Sequence, residues 1–282
     1  YSDKYEPHKA ADIVLMLIIF STYIKSFFDH NFSSLCVHGV LYSLFLPLLL
    51  YKSRASFIAA SIFFVYLLFL HRREFITYLS KSFLLIITCF VLATFSTIFA
   101  QRLVIEEFSP EEIGNSYSQL GEYKFETYKE GQEFLYIENE RLFSADGNLN
   151  WRLQMWQDQI SFVPEDGNII TGVGHKEILR VFNYRNFPSG NNRRGLDGLN
   201  ENLHNFFVTL YARGGLITLM FYLYLYYFLI KNTKQANFFD FIVSLFCIFF
   251  VSSFDSSMEN AHFPLIFYFF IGNYFFKNNL KD

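Results

Sequence analysis

Of the chain's 282 residues, 52% are hydrophobic and only 17% charged, at a mean hydropathy of +0.21; the charges collect between apolar runs, as in an integral membrane protein. The net charge of −3 gives no electrostatic basis for a nucleic-acid partner. Cys36, Cys89 and Cys247 all fall in apolar runs, which excludes a disulfide framework in the polar part of the chain.

The chain begins at Tyr1 without a Met, and its first ten residues lack the basic region of a signal peptide, which reads as a trimmed chain or a fragment. A helix needs about 20 apolar residues to cross a bilayer. Seven segments approach that length: Asp12 to Phe28, Leu35 to Tyr51, Ala55 to Leu70, Ser82 to Ala100, His204 to Ile230, Phe238 to Val251 and His262 to Phe276. Backbone polar groups in lipid have to be satisfied within the segment, so the expected fold class is an all-α polytopic membrane protein. The implied organisation is transmembrane helices over 1–100, one large polar loop over 101–203 and transmembrane helices again over 204–282. The 38 Phe and 19 Tyr are read as the codon bias of an AT-rich genome rather than as a binding groove.

Lys and Arg of short loops collect on the cytoplasmic side. Alternating segments bring His71-Arg72-Arg73 with Lys81, Lys231 with Lys234, and Lys277 with Lys281 to one face, expected to be cytoplasmic. The long loop and the turn Tyr51-Lys52-Ser53-Arg54 then lie on the opposite face. Lys52 and Arg54 run against the rule there, which asks for a local anionic partner or a snorkelling contact with lipid headgroups.

The long loop has two halves. From Gln101 to Asn150 there are 4 Lys/Arg against 11 Asp/Glu with little periodic apolar pattern, a solvated spacer or cap. From Trp151 to Leu203 the count is 6 against 6, but between His175 and Arg194 it is 5 (Lys176, Arg180, Arg185, Arg193, Arg194) against Glu177 alone. The second half is the part suited to an anion.

Asn150 is a candidate N-cap for a helix from Trp151, which places Arg152 in the first turn with Trp156 and Gln159 on the same face. Free N–H groups, a positive dipole end and a planar guanidinium fork together make a diphosphate clamp. Alternatively Arg152 pairs with Asp158 or lies on Trp156. Gly172-Val173-Gly174-His175 is too short for a phosphate loop and by itself indicates a tight turn. His175 is either ligand-facing or simply solvated. His204 stands near the start of the next helix, with Asn200 or Asn202 as cap, where the dipole favours a neutral imidazole. Facing a sugar hydroxyl, it can act as general base for attack on an anomeric carbon, an effect of about a hundred- to ten-thousand-fold; otherwise it is an interfacial hydrogen-bonding group. Gly214-Gly215 allows a bend or a close approach. No G-x-S-x-G, H-E-x-x-H, phosphate-loop or paired-carboxylate motif occurs in the loop, which favours chemistry without a metal or other cofactor.

Ser53-Arg54-Ala55 opening an apolar run, Arg152-Leu153-x-x-Trp156 after a long loop, Gly172-x-Gly174, and His204-Asn205 opening another span resemble, in that order, the O-antigen ligase and O-antigen polymerase superfamily over roughly Tyr51 to Gly272. The resemblance implies a metal-independent inverting glycosyltransferase of GT-C architecture in the bacterial inner membrane, its site facing the periplasm. The implied donor is an undecaprenyl-diphosphate-linked glycan. The family's essential arginines fall on Arg54 and Arg152 and its histidine on His204, with Trp156, Gly172, Gly174, His175 and Asn205 as further substrate-binding candidates. Members usually have about a dozen spans, so N-terminal spans are missing or this is a short variant. The expected function is ligation to lipid A–core; a polymerase or a protein O-oligosaccharyltransferase shares the motifs. A non-catalytic transporter, the competing class, calls for charged or Gly/Pro-broken helices at the bilayer midplane and an internal repeat, neither of which is clear.

Overall fold

The computed structural model describes residues 7–28, 32–107, 134–138, 140–166, 168–183, 202–234 and 238–279. The acidic stretch 108–133 and the basic Arg185, Arg193 and Arg194 lie outside them. The chain divides into two compact units, one of residues 108–226 and one of 2–107 with 227–282.

The second of these is helical throughout its described part. It contains α1 (Pro7–Phe27), α2 (Phe32–Lys52), α3 (Arg54–Leu70), the short α4 (Arg72–Thr77) and α5 (Leu79–Glu107). After the helix α8 (Phe206–Lys231) come α9 (Phe238–Ser252), a 3-10 turn (Ser257–Glu259) and α10 (His262–Asn279). The buried positions follow helical spacing: Leu35, His38, Tyr42 and Leu49 on α2, and Ser56, Ala59, Ala60, Phe63 and Leu67 on α3. Gly39 brings α2 against α5, since a Cβ there would meet Cys89 Sγ at 3.0 Å. Asp240 of α9 binds Lys25 of α1 and accepts from Tyr66 of α3. The opposite surface is apolar, with Phe83, Leu84, Phe90, Val91 and Phe95 of α5 all more than half exposed. Exposed apolar area on this scale is what a lipid-facing helix presents.

Every expected membrane segment is a helix. By length and composition, Phe32–Lys52, Leu79–Arg102 and Phe206–Lys231 qualify as spans among the described residues, and Arg54–Leu70 and Phe238–Ser252 are shorter apolar helices. The protein is therefore a helical membrane protein. α5 runs on to Glu107, past the expected end at Ala100, because Gln101 and Arg102 continue the helix into polar sequence; Gln101 Nε2 donates to the Tyr51 hydroxyl at 2.8 Å.

The other unit opens with a hairpin, β1 (Leu135–Glu138) and β2 (Arg141–Ser144), followed by α6 (Gly147–Glu165) and a single turn, α7 (Arg180–Asn183). The hairpin was not expected in what reads as spacer sequence. Its strands are four residues each and its turn carries Glu140 at φ 64 where a glycine is usual, so the usual signal is missing. The outer edge of β2 is closed by side chains of α6. Gln157 accepts from Leu142 N at 2.8 Å and donates to Leu142 O at 2.9 Å, pairing both backbone groups as a neighbouring strand would. Asp158, buried, holds Arg141 in an ion pair at 2.7 Å.

α8 (Phe206–Lys231) is broken at Gly215, whose φ of 64 and ψ of −166 are not helical. The break belongs with the loop after α6. Val173 N and Gly174 N donate to the carbonyls of Ala212 and Arg213 (both 2.9 Å), and Leu216 N and Ile217 N donate back to Ile169 and Ile170 (2.9 and 3.2 Å). Two glycine turns of the sequence thus close on each other, with no room between them: a Cβ on Gly172 would stand 2.5 Å from the Arg213 carbonyl, and one on Gly215 2.3 Å from the Ile170 oxygen.

The glycines are consequently not equivalent. Gly172→Ala and Gly215→Ala should each cost about 3 kcal/mol or more, combining strain at positive φ with a backbone clash. Gly174→Ala, at φ 83 but with open space around it, should cost only about 1 kcal/mol. Thermal unfolding of the three variants in one detergent checks the order, and equal losses would contradict the interlock.

Candidate active site

α6 has two faces. Asn150, Gln154, Gln157 and Asp158 face the hairpin: Asn150 Oδ1 accepts from Ser144 N at 3.1 Å and Gln154 Nε2 donates to Leu142 O at 3.0 Å. Half a turn round are Arg152, Met155, Trp156 and Gln159, spaced three and four residues apart so as to form one stripe. Met155 is fully buried in a core with Phe162, Val163, Leu179, Val181, Phe182, Leu203 and Ala212.

The start of this helix differs from expectation. Asp146 is the N-cap, its carboxylate accepting from Leu149 N at 2.9 Å, and the helix begins at Gly147. Asn150 is spent on the hairpin, and Arg152 stands in the second turn, beyond the free N–H groups of the first. The expectation that Arg152 shares the first turn with the free N–H groups is therefore corrected: its guanidinium stands apart from them.

His204 lies just before α8. The cap of that helix is Asn205, whose Oδ1 accepts from Val208 N at 3.0 Å; neither Asn202 nor Asn200, the latter outside the described residues, was needed for it. His204 is outside the helix with φ 53, left-handed backbone that few non-glycine residues adopt. Trp156 Nε1 donates to the carbonyl of Leu203 at 2.6 Å, and the Trp151 ring lies 5.7 Å from the imidazole. His204 is half-buried, with Nδ1 out of contact with solvent. Burial first, and the nearby Arg152 charge second, push its pKa down to about 3. The imidazole is neutral, as expected, though burial and Arg152 hold it there.

Gly172, Val173 and Gly174 all donate their N–H groups within the protein, Gly172 to Asn168 O at 2.8 Å, so this loop is a brace for α8 and offers no cradle for a phosphate. Asn205 uses its amide oxygen as the cap. His175 and Lys176 are exposed, and Arg180 is neutralised by Glu165 and Asp166, both at 3.0 Å. Arg54 begins α3, exposed, after the N-cap Ser53, whose hydroxyl accepts from Ser56 N at 3.3 Å; it belongs to the other unit. Arg213 went unnoticed in the sequence. Its Nη1 donates to the carbonyls of Gly174, at 3.0 Å, and Glu177, and ties the loop to the break; no spacing rule signals such a contact.

The chain is a helical membrane protein in which an arginine and a neutral, half-buried histidine come together on a polar segment. The family model Wzy_C, described as O-antigen ligase, matches residues 39–223, about two thirds of the chain, and the chain belongs to that family. No curated protein and no solved structure matches it. Membership makes it a membrane enzyme of the glycosyltransferase kind, acting on lipid-linked glycan and lipid substrates in general.

The depressed pKa has a sign that can be checked. Below the ordinary 6.5 the unfolded chain binds a proton at His204, while the folded protein binds none until about pH 3. Stability is thus lost as pH falls through this window. Wild type should lose more thermal stability between pH 7 and 4 than His204→Gln, both melted in the same detergent. Parallel curves would mean a solvated imidazole.

Proposed function

We propose that this protein is an O-antigen ligase, transferring glycan from an undecaprenyl-diphosphate carrier to lipid A–core at the periplasmic face of the bacterial inner membrane. The observation that carries the reading is the pairing of Arg152 with His204 on one compact unit. The short-loop charges and the family support the location and the donor, and the seven helical segments are read as spans of a GT-C-type enzyme.

In the proposed reaction an acceptor hydroxyl attacks the anomeric carbon with inversion. The bond from that carbon to the phosphate oxygen breaks, and undecaprenyl diphosphate leaves with the electron pair. Arg152 neutralises the leaving diphosphate, which is the larger share of catalysis in such sites; Arg54, on which the family's other essential arginine falls, is a further catalytic and donor-binding candidate. His204 orients the acceptor hydroxyl and takes its proton. An imidazole of such low basicity is a weak base at rest. A diphosphate on Arg152 offsets the positive charge beside it, so donor binding raises its basicity before the acceptor is attacked. The competing transporter reading gains a broken helix from the structure, but the Ala212 and Arg213 carbonyls and the Leu216 and Ile217 N–H groups at that break are bonded to the loop.

In a strain lacking the gene, lipopolysaccharide should lose its polymeric caps while lipid-linked glycan accumulates; single-repeat caps would indicate a polymerase, loss of glycoprotein a protein O-oligosaccharyltransferase, and no change neither. Arg152→Lys should lower transfer by the purified protein at least a hundredfold although charge is kept, because an ammonium cannot make the fork's two parallel bonds. Retention of most activity would refute the clamp.

A further inference from the structure

The Leu203–His204 peptide shows a cause and effect that the pairing of Arg152 and His204 alone does not. Left-handed backbone is unfavourable for a non-glycine residue, so the φ of 53 at His204 persists only where the surroundings impose it. That angle is the rotation of His204 against the peptide plane before it. The Trp156 indole N–H holds that plane by donating to the Leu203 carbonyl at 2.6 Å, with the Leu203 side chain buried in the core. On the other side Asn205 is fixed as the cap of α8, its carbonyl accepting from Thr209 N at 2.9 Å. Trp156 is one helical turn from Arg152, on the same stripe of α6, so one rigid turn carries both the guanidinium and the group that sets the direction of the imidazole.

We infer that Trp156 is a positioning residue rather than a substrate contact: its N–H, spent on Leu203, fixes the left-handed turn that keeps His204 enclosed beside Arg152. This rests on the proposed transfer reaction for its kinetic consequence, but not for its structural one. The charged group facing His204 from α6 is Arg152. Asp158 lies on the opposite face with Arg141, and Arg213 on α8 is bonded to loop carbonyls.

The test removes the N–H and keeps the ring. In Trp156→Phe, and in a variant carrying β-(3-benzothienyl)alanine at 156, whose sulfur replaces the N–H at nearly the same shape, kcat should fall at least tenfold. KM for the lipid-diphosphate-linked glycan should change less than twofold. The released imidazole regains an ordinary protonation equilibrium in the free enzyme, so the pH profile of kcat/KM should acquire a limb between about pH 5 and 7 that wild type lacks. Independently of activity, carbethoxylation of His204 by diethylpyrocarbonate, read by peptide mass spectrometry on the intact detergent-purified protein, should speed up at least tenfold. Met155→Ala, which loosens the same core without touching the Leu203 carbonyl, is the control. Unchanged kcat and His204 labelling in both Trp156 variants would overturn the inference, as would the same kinetic split and pH limb in Met155→Ala. Faster labelling in a protein whose wild type transfers no glycan would leave the positioning of His204 by Trp156 standing and remove the transfer reaction.

Discussion

A helix interrupted in apolar sequence leaves carbonyls on one side of the break and N–H groups on the other, and each group left unpaired away from water costs about 1–3 kcal/mol. The pairing of Ala212, Arg213, Leu216 and Ile217 of α8 with Ile169, Ile170, Val173 and Gly174 meets that demand with a stretch of loop. The rest of the site depends on it. The loop can reach the break only if α6 ends where it does, and the first part of α8, from Asn205 to the break, is then tied at its far end to the loop and at its near end, through Leu203, to Trp156. A reactive residue placed just before a helix held at both ends has little freedom to drift.

α6 supplies the other half of this arrangement by separating its tasks around its circumference. The glutamine and asparagine side chains on one face satisfy the edge of a two-stranded hairpin that is too small to be stable alone. The stripe on the other face holds Arg152 and Trp156, and the apolar residues beside it form the core. The hairpin, on the face turned away from Arg152 and Trp156, steadies the helix from behind.

Much of this was legible in one dimension. Apolar runs placed the helices, and Arg152 with Trp156 four residues on announced one face of a helix before its ends were known. The caps were harder, because Asp146 and Asn150 are equally good capping residues and only the hairpin decides between them by claiming Asn150. The hairpin itself has strands of four residues and no glycine in its turn, so neither alternation nor turn chemistry could register it. Gly172-Val173-Gly174 read as a tight turn, and Gly214-Gly215 as room for a bend or a close approach. That they approach one another follows from backbone atoms meeting, and periodicity carries no information about that. The left-handed turn at His204 is likewise a product of tertiary contacts and not of its own sequence.

The contact between those glycine turns constrains how this part of the chain can vary. In an ordinary core, a residue that has grown too large is accommodated by a smaller one opposite. Here the atoms that a new Cβ would strike are the Arg213 carbonyl, the Gly214 nitrogen, the Ile170 oxygen and the Gly172 nitrogen, all main chain. Nothing opposite can be made smaller, so a genetic screen for second-site suppressors of Gly172 or Gly215 substitutions has no compensating side chain to find, and drift at the two positions is closed off independently of what the enzyme transfers.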